Sequence, residues 1–282
     1  MTTRIFAVWV FAIAASLLCA ACGGDDDDSG SVDSDGGGSD DDDAADDDDS
    51  GGTGEDRIAN YLRPEPFSRL VFEIEAVAGY GPREDAMEGV IEFYADVIDK
   101  PGGIEAIADE TIEGVGAGGV WTQDDLHALA ESTANLDVED DTIAIHLLYV
   151  DGSYDAGAGP GTVLGVAWGN LHLAIFTDDI DDSCATPLPF ESTLCRLAEQ
   201  HVLAHELGHV IGLVDNGLPM VTDHKDPTHG DHDVSDECLM YWAYEGTSIV
   251  DLLAARITEG NLDPLGFDDA CLADIAAVRD AT

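Results

Sequence analysis

Residues 205–209 read His-Glu-Leu-Gly-His, inside a run from about 193 to 211 that the sequence predicts to be one long helix. Two histidines four apart lie on one helix face about a turn apart, so both imidazoles can reach one metal ion. Glu206, the next residue round, can then point to water at that metal as a general base. Leu203, Leu207, Val210 and Ile211 supply packing around the pair, which makes the segment an amphipathic helix.

The flanking pattern alternates strands with helices. Residues 70–76 and 142–150 read as strands, the second the clearest in the chain, and 104–107 as a short one. Residues 83–98 carry Met87, Val90, Ile91, Tyr94 and Ile98 at helical spacing, and Pro101 with the two glycines after it stops that helix. Thr122 with Asp125 three places on is a capping-box variant opening a helix to about 133. The Gly and Pro loop at 157–161 lacks a following Lys-Ser or helix start, so it reads as a turn, not a phosphate cradle. Residues 163–168 and 171–176 form a hairpin turning at Gly169 and Asn170. A loop-rich stretch of some fifty residues follows the long helix, before a last helix at 268–279.

His205 to Asp215 resembles the extended motif of the metzincin clan of zinc metalloproteases, His-Glu-x-x-His-x-x-Gly-x-x-His or Asp. Gly212 matches the glycine that turns the chain after the active-site helix, where freedom from Cβ crowding allows a left-handed corner. Asp215 falls where the third metal ligand belongs, with His205 and His209 as the first two. His224, His229 and His232 in the following loop compete for that place. Cys238, Leu239, Met240, Tyr241 and Trp242 look like the clan's Met-turn, with Met240 beneath the metal. The clan's tyrosine usually stands two residues after that methionine, whereas Tyr241 is one and Tyr244 four after Met240, so no catalytic tyrosine is assigned. The resemblance implies an α+β, zincin-like fold: a twisted mixed sheet with an antiparallel edge hairpin, an active-site helix and a C-terminal helix. It also implies Zn2+ as cofactor, Glu206 as catalytic base and hydrolysis of a protein or peptide substrate. His201 reads as a helix-face residue, and His127, His146 and His172 as ordinary helix or strand residues.

Charge confines the partners. The chain carries 60 acidic residues against 10 Lys and Arg, a net charge of −50, with lysine only at 100 and 225. Counterion release on nucleic acid needs clustered bases, so nucleic acid is excluded as a partner. Sixteen of the acids lie between Gly23 and Asp56 among Gly and Ser, a stretch with too little apolar surface to offset its ordering entropy. Its aspartate runs lack the fixed Gly and Glu pattern of a calcium cage.

Before that stretch, residues 5–18 form an unbroken apolar run after Arg4, too short to span a membrane comfortably and suited to a signal peptide. The sequence Leu18-Cys19-Ala20-Ala21-Cys22 resembles the lipobox of bacterial lipoproteins, with Cys19 where a branched aliphatic residue is usual. That resemblance implies a signal peptide over 1–21 and lipidation at Cys22, while composition makes 22–56 a disordered tether and the metzincin resemblance implies a metalloprotease domain over 57–282. It further implies an extracytoplasmic protein anchored to a bacterial membrane, at the outer membrane or cell surface, through lipid only. In an oxidising compartment the four remaining cysteines are expected to pair, Cys184 with Cys195 by proximity and Cys238 with Cys271. The rival to an enzyme is a non-catalytic zinc-containing surface lipoprotein acting as a binding module.

Overall fold

The computed structural model describes residues 54–157 and 161–281. Cys22, the apolar run before it and the aspartate blocks lie outside the described residues.

Strand β1 (Arg69–Val77) pairs in parallel with β2 (Gly103–Ile112) on one side and β4 (Thr142–Val150) on the other. β7 (His172–Phe176) adds in parallel to β4, and β6 (Gly165–Trp168) closes the edge antiparallel to β7, giving the order β2-β1-β4-β7-β6. The hairpin loop, three residues from Gly169 to Leu171 between the paired Trp168 and His172, is left-handed at Gly169 (φ 62°) and Asn170 (φ 48°). β2 is longer than its 104–107 signal, because Glu105, Asp109 and Glu110 interrupt the apolar pattern of a largely exposed edge strand. A second, two-stranded sheet pairs β3 (Val120–Trp121) with β5 (Ser153–Tyr154).

Strand alternation sends Leu70, Phe72 and Ile74 to one face and Glu73 and Glu75 to the other. On the first face the core is completed by α2 (Glu84–Val97) and α5 (Glu191–Val210). On the second, α3 (Gln123–Thr133) packs Leu126 and Ala130 on Leu148, Val150, Ala174 and Phe176, and its Thr122–Asp125 capping box forms as the sequence predicts. α1 (Gly54–Leu62) begins three residues inside the stretch read as tether and buries Ile58, Tyr61 and Leu62. α4 (Thr177–Cys184) precedes α5 and is tied to it by the Cys184–Cys195 disulfide. The stretch read as loop holds a 3-10 turn (Trp242–Glu245) and α6 (Ser248–Thr258), and α7 (Asp269–Arg279) ends the described chain.

The expectation of an amphipathic metal helix is corrected. Every residue of α5 from Leu197 to Val210 is buried, because sheet, α2, α4, α6 and the 3-10 turn surround it.

Lys100 fastens the entry to the sheet. Its buried ammonium donates to the carbonyls of Asn60, Arg63 and Phe67, each at 2.6 Å. Lys100→Met would leave these acceptors without their donor, and a loss of about 2–4 kcal/mol is expected. A lowered urea midpoint at unchanged slope would show it.

Candidate metal centre

A helix buried all round must match each of its polar side chains inside the protein. Glu199 accepts from the Arg83 backbone N–H at 2.8 Å and pairs with its guanidinium. Gln200 accepts from Arg196 at 2.8 Å. His201 donates from Nδ1 to Leu197 O and accepts from the Leu265 N–H at 2.8 Å, so both its ring nitrogens are engaged away from His205 and His209. What remains is the His205, Glu206 and His209 set.

His205 donates its Nδ1–H to the carbonyl of Leu239 at 2.7 Å, which leaves Nε2 as a bare lone pair. That Nε2 faces the Nε2 of His209 at 3.2 Å. His232 donates Nδ1–H to His229 O at 2.5 Å, so its Nε2 is a lone pair as well, and no donor satisfies it. Glu245 Oε1 lies 2.8 Å from His232 Nε2 and 3.7 Å from His209 Nε2. One donor atom from each of His205, His209, His232 and Glu245 lies within 4.8 Å of the others, so the four could hold a metal ion. Glu206 Oε1 is buried beside them without a hydrogen-bond partner.

The electrostatics suit a cation. Burial, and then the neighbouring imidazole of His209, pull His205 down to about 3, and burial lowers His209 too, so both present neutral rings. For His232 burial pulls downward, but the hydrogen bond and charge of Glu245 outweigh it and the net direction is up. Burial, reinforced by the charge of Glu245, drives Glu206 well above the usual carboxylate range. Glu245 itself is held low: burial opposes this, but His209 and His232 prevail.

Three local devices assemble the set. The turn around Met240 is locked to α5, because Leu239 O takes the His205 hydrogen bond and a Cβ on Gly208 would run into the Met240 sulfur. His232 is seated on the same turn by Asp233 N–H to Met240 O at 2.8 Å and Asp226 N–H to His232 O at 2.7 Å. Asn170, in the hairpin turn, donates to the carbonyls of His209, Val210 and Asn216, satisfying the end of α5. β6 then passes over Glu206 so closely that a Cβ on Gly165 would lie 2.7 Å from the Glu206 Cγ.

Asp215 does not join the set. Gly212 turns the chain with φ 86°, and Val214 and Asp215 continue left-handed at 56° and 65°. The Asp215 side chain is 59% exposed and reaches Lys225 at 3.5 Å, so the third histidine comes from the loop instead. His229 pairs with Asp226 and stacks on Trp242. His224 is buried between Asp233 at 2.6 Å and Asp274 at 2.8 Å. Tyr244 spends its hydroxyl on Asp236 O, and Tyr241 packs against the main core. The second expected cysteine pair stands as two buried thiols 3.6 Å apart, Cys238 and Cys271, with no bond between them. Glu245 was missed by the sequence reading, since no spacing rule marks a glutamate five residues after the methionine.

The chain matches no protein-family model and none of the curated proteins. Distant likenesses exist among solved structures. The chain is similar to an archaemetzincin from Methanopyrus kandleri at 15% identity, over 75% of this chain and 96% of that one, with a TM-score of 0.47. It is similar to a zinc-dependent peptidase from Methanocorpusculum labreanum at 16% identity, over 73% and 99%, with a TM-score of 0.47. A third likeness, to metalloproteinase-II from Bacteroides fragilis, has 15% identity over 81% and 61%, with a TM-score of 0.40.

The geometry separates the ligand alternatives. His232→Ala is expected to weaken zinc binding at least 100-fold, and Asp215→Ala to leave it within about threefold of wild type. Competition titration against a chromophoric chelator measures both.

Proposed function

We propose that this chain is a zinc-dependent endopeptidase in which His205, His209 and His232 hold the metal and Glu206 is the general base. The observation that carries the reading is the convergence of imidazole nitrogens from His205, His209 and His232, with Glu206 Oε1 buried and without a hydrogen-bond partner. The donor set fits the ion: imidazole nitrogens at one point, two of the rings oriented by Nδ1–H bonds to carbonyls, are what zinc takes. Zinc bound there supplies Lewis acidity, lowering the pKa of a water and polarising a peptide carbonyl.

The rest belongs to the chain's own residues. Glu206 accepts the proton of the attacking water and passes it to the leaving amine. The free edge of β6 runs beside that carboxylate, where an extended peptide can add to the sheet through main-chain hydrogen bonds. That edge orients the scissile bond relative to Glu206. The net charge of −50 favours a basic substrate segment. The address read from residues 1–22 makes this an exported enzyme, lipidated at Cys22 and held at a bacterial membrane by its acyl chains.

Glu245 supports a second reading. A carboxylate in contact with His232 and His209 makes four protein donors, the number of a closed structural zinc site, as a non-catalytic binding module would have.

Activity separates the two. Chelator-sensitive cleavage of an unfolded protein substrate is expected, with Glu206→Gln lowering kcat/KM by at least a thousandfold while keeping one equivalent of zinc. Zinc bound tightly by wild type with no cleavage would give the site to the binding module. Glu245→Gln is expected to weaken zinc about tenfold, read by the same chelator competition.

A further inference from the structure

A second group of acidic side chains stands on the sheet face turned away from α5. Glu73 and Glu75 project from β1 on that face. The pairing with β2 runs Ile74 opposite Ala108 and then Ala76 opposite Thr111, so residues 109 and 110 bulge against Glu75. A bulge re-aims the side chain it carries. Here one carboxylate oxygen from each of Glu73, Glu75 and Asp109 comes within 4.8 Å of the others.

Glu75 is the telling residue. It is 0% exposed, and its Oε1 has no hydrogen-bond partner. Its Oε2 is paired with His146 Nε2 at 2.7 Å. The same imidazole nitrogen lies 3.2 Å from Thr133 Oγ1, whose hydroxyl donates to Leu129 O at 2.9 Å. The ring's Nδ1 faces His172 Nδ1 at 3.1 Å. Glu73 Oε1 accepts the backbone N–H groups of Asn135 at 2.8 Å and Leu136 at 2.6 Å, which leaves Oε2 to the cluster. Arg69, on the same strand, is paired with Glu105.

We propose that Glu73, Glu75 and Asp109 form a calcium site, separate from the 205–245 centre. Both nitrogens of His146 being engaged, the set offers oxygen only, which selects a hard cation over zinc. Calcium–oxygen bonds of about 2.3–2.6 Å allow ligands up to roughly 5 Å apart on one ion, which the cluster meets, and calcium accepts irregular carboxylate geometry. The bulge gives the site an open rim, since Asp109 is exposed while Glu73 and Glu75 are buried. Calcium there satisfies Glu75 and clips the edge strand β2 to β1.

The test uses the full chain, loaded with one equivalent of zinc and stripped of calcium, with calcium chloride as probe. Thermal melting of wild type is expected to rise by roughly 5–10 °C at a hundredfold excess over Kd. Glu75→Gln and Asp109→Asn are expected to lose most of that rise and at least tenfold in calorimetric affinity. Asp109 is exposed, so its variant keeps the fold. Glu75→Gln is nearly isosteric, and a cooperative melting transition without calcium shows that it folds. Absence of a calcium-dependent rise in wild type overturns the proposal. So does a rise that both variants retain, which assigns calcium to the aspartate tract at 25–49. Neither result depends on whether the zinc centre is catalytic.

Discussion

The hydrogen bond from His205 Nδ1 to the Leu239 carbonyl holds the site together. It joins the metal helix to the turn before α6 and sets the tautomer that turns Nε2 inward. With Gly208 pressed against Met240, it leaves the turn a single seat on the helix. The turn then carries the rest: Met240 O receives Asp233 N–H, and that bond places His232. A donor 23 residues beyond His209 in the chain thus reaches the same point through two backbone contacts.

The acidity of the chain gives this arrangement its meaning. With 10 Lys and Arg for 60 acids, most carboxylates must be solvated, and the buried ones compete for few bases. Arg83 serves Glu199 and Asp181, and Lys225 serves Asp231 and Asp215. Asp233 and Asp274 share His224, which draws the loop at 221–234 against α7. Among the described residues, buried glutamate oxygens are left over at Glu206 and Glu75. Glu75 stands in a group of side chains able to take a cation, and Glu206 follows His205, a member of another such group.

Burial also explains how a short motif specifies so much. An α5 exposed on one face could solvate His209 and Glu206, and nothing would require a metal. Enclosed by sheet and helices, those side chains are left to their neighbours in the protein, His209 to His205, His232 and Glu245.

Much of the framework was legible in the chain's own pattern. The strands at 70–76 and 142–150, the α3 capping box, the hairpin at Gly169 and Asn170 and the 184–195 disulfide follow from local chemistry, which neighbours in sequence determine. So do His205, Glu206 and His209, because one helical turn places them. α6 and the full length of β2 were not legible, since tertiary packing and strand pairing stabilise them where their own patterns are weak. The third histidine and Glu245 were undetermined for a related reason. Spacing along a helix is a local property, but which of Asp215, His224, His229 and His232 reaches the pair depends on how a loop with left-handed residues at 214 and 215 is seated by the Met240 turn. Sequence alone determined that His205, Glu206 and His209 share one helix; only the tertiary structure decided which side chains join them, because the deciding contacts are backbone hydrogen bonds between segments far apart in the chain.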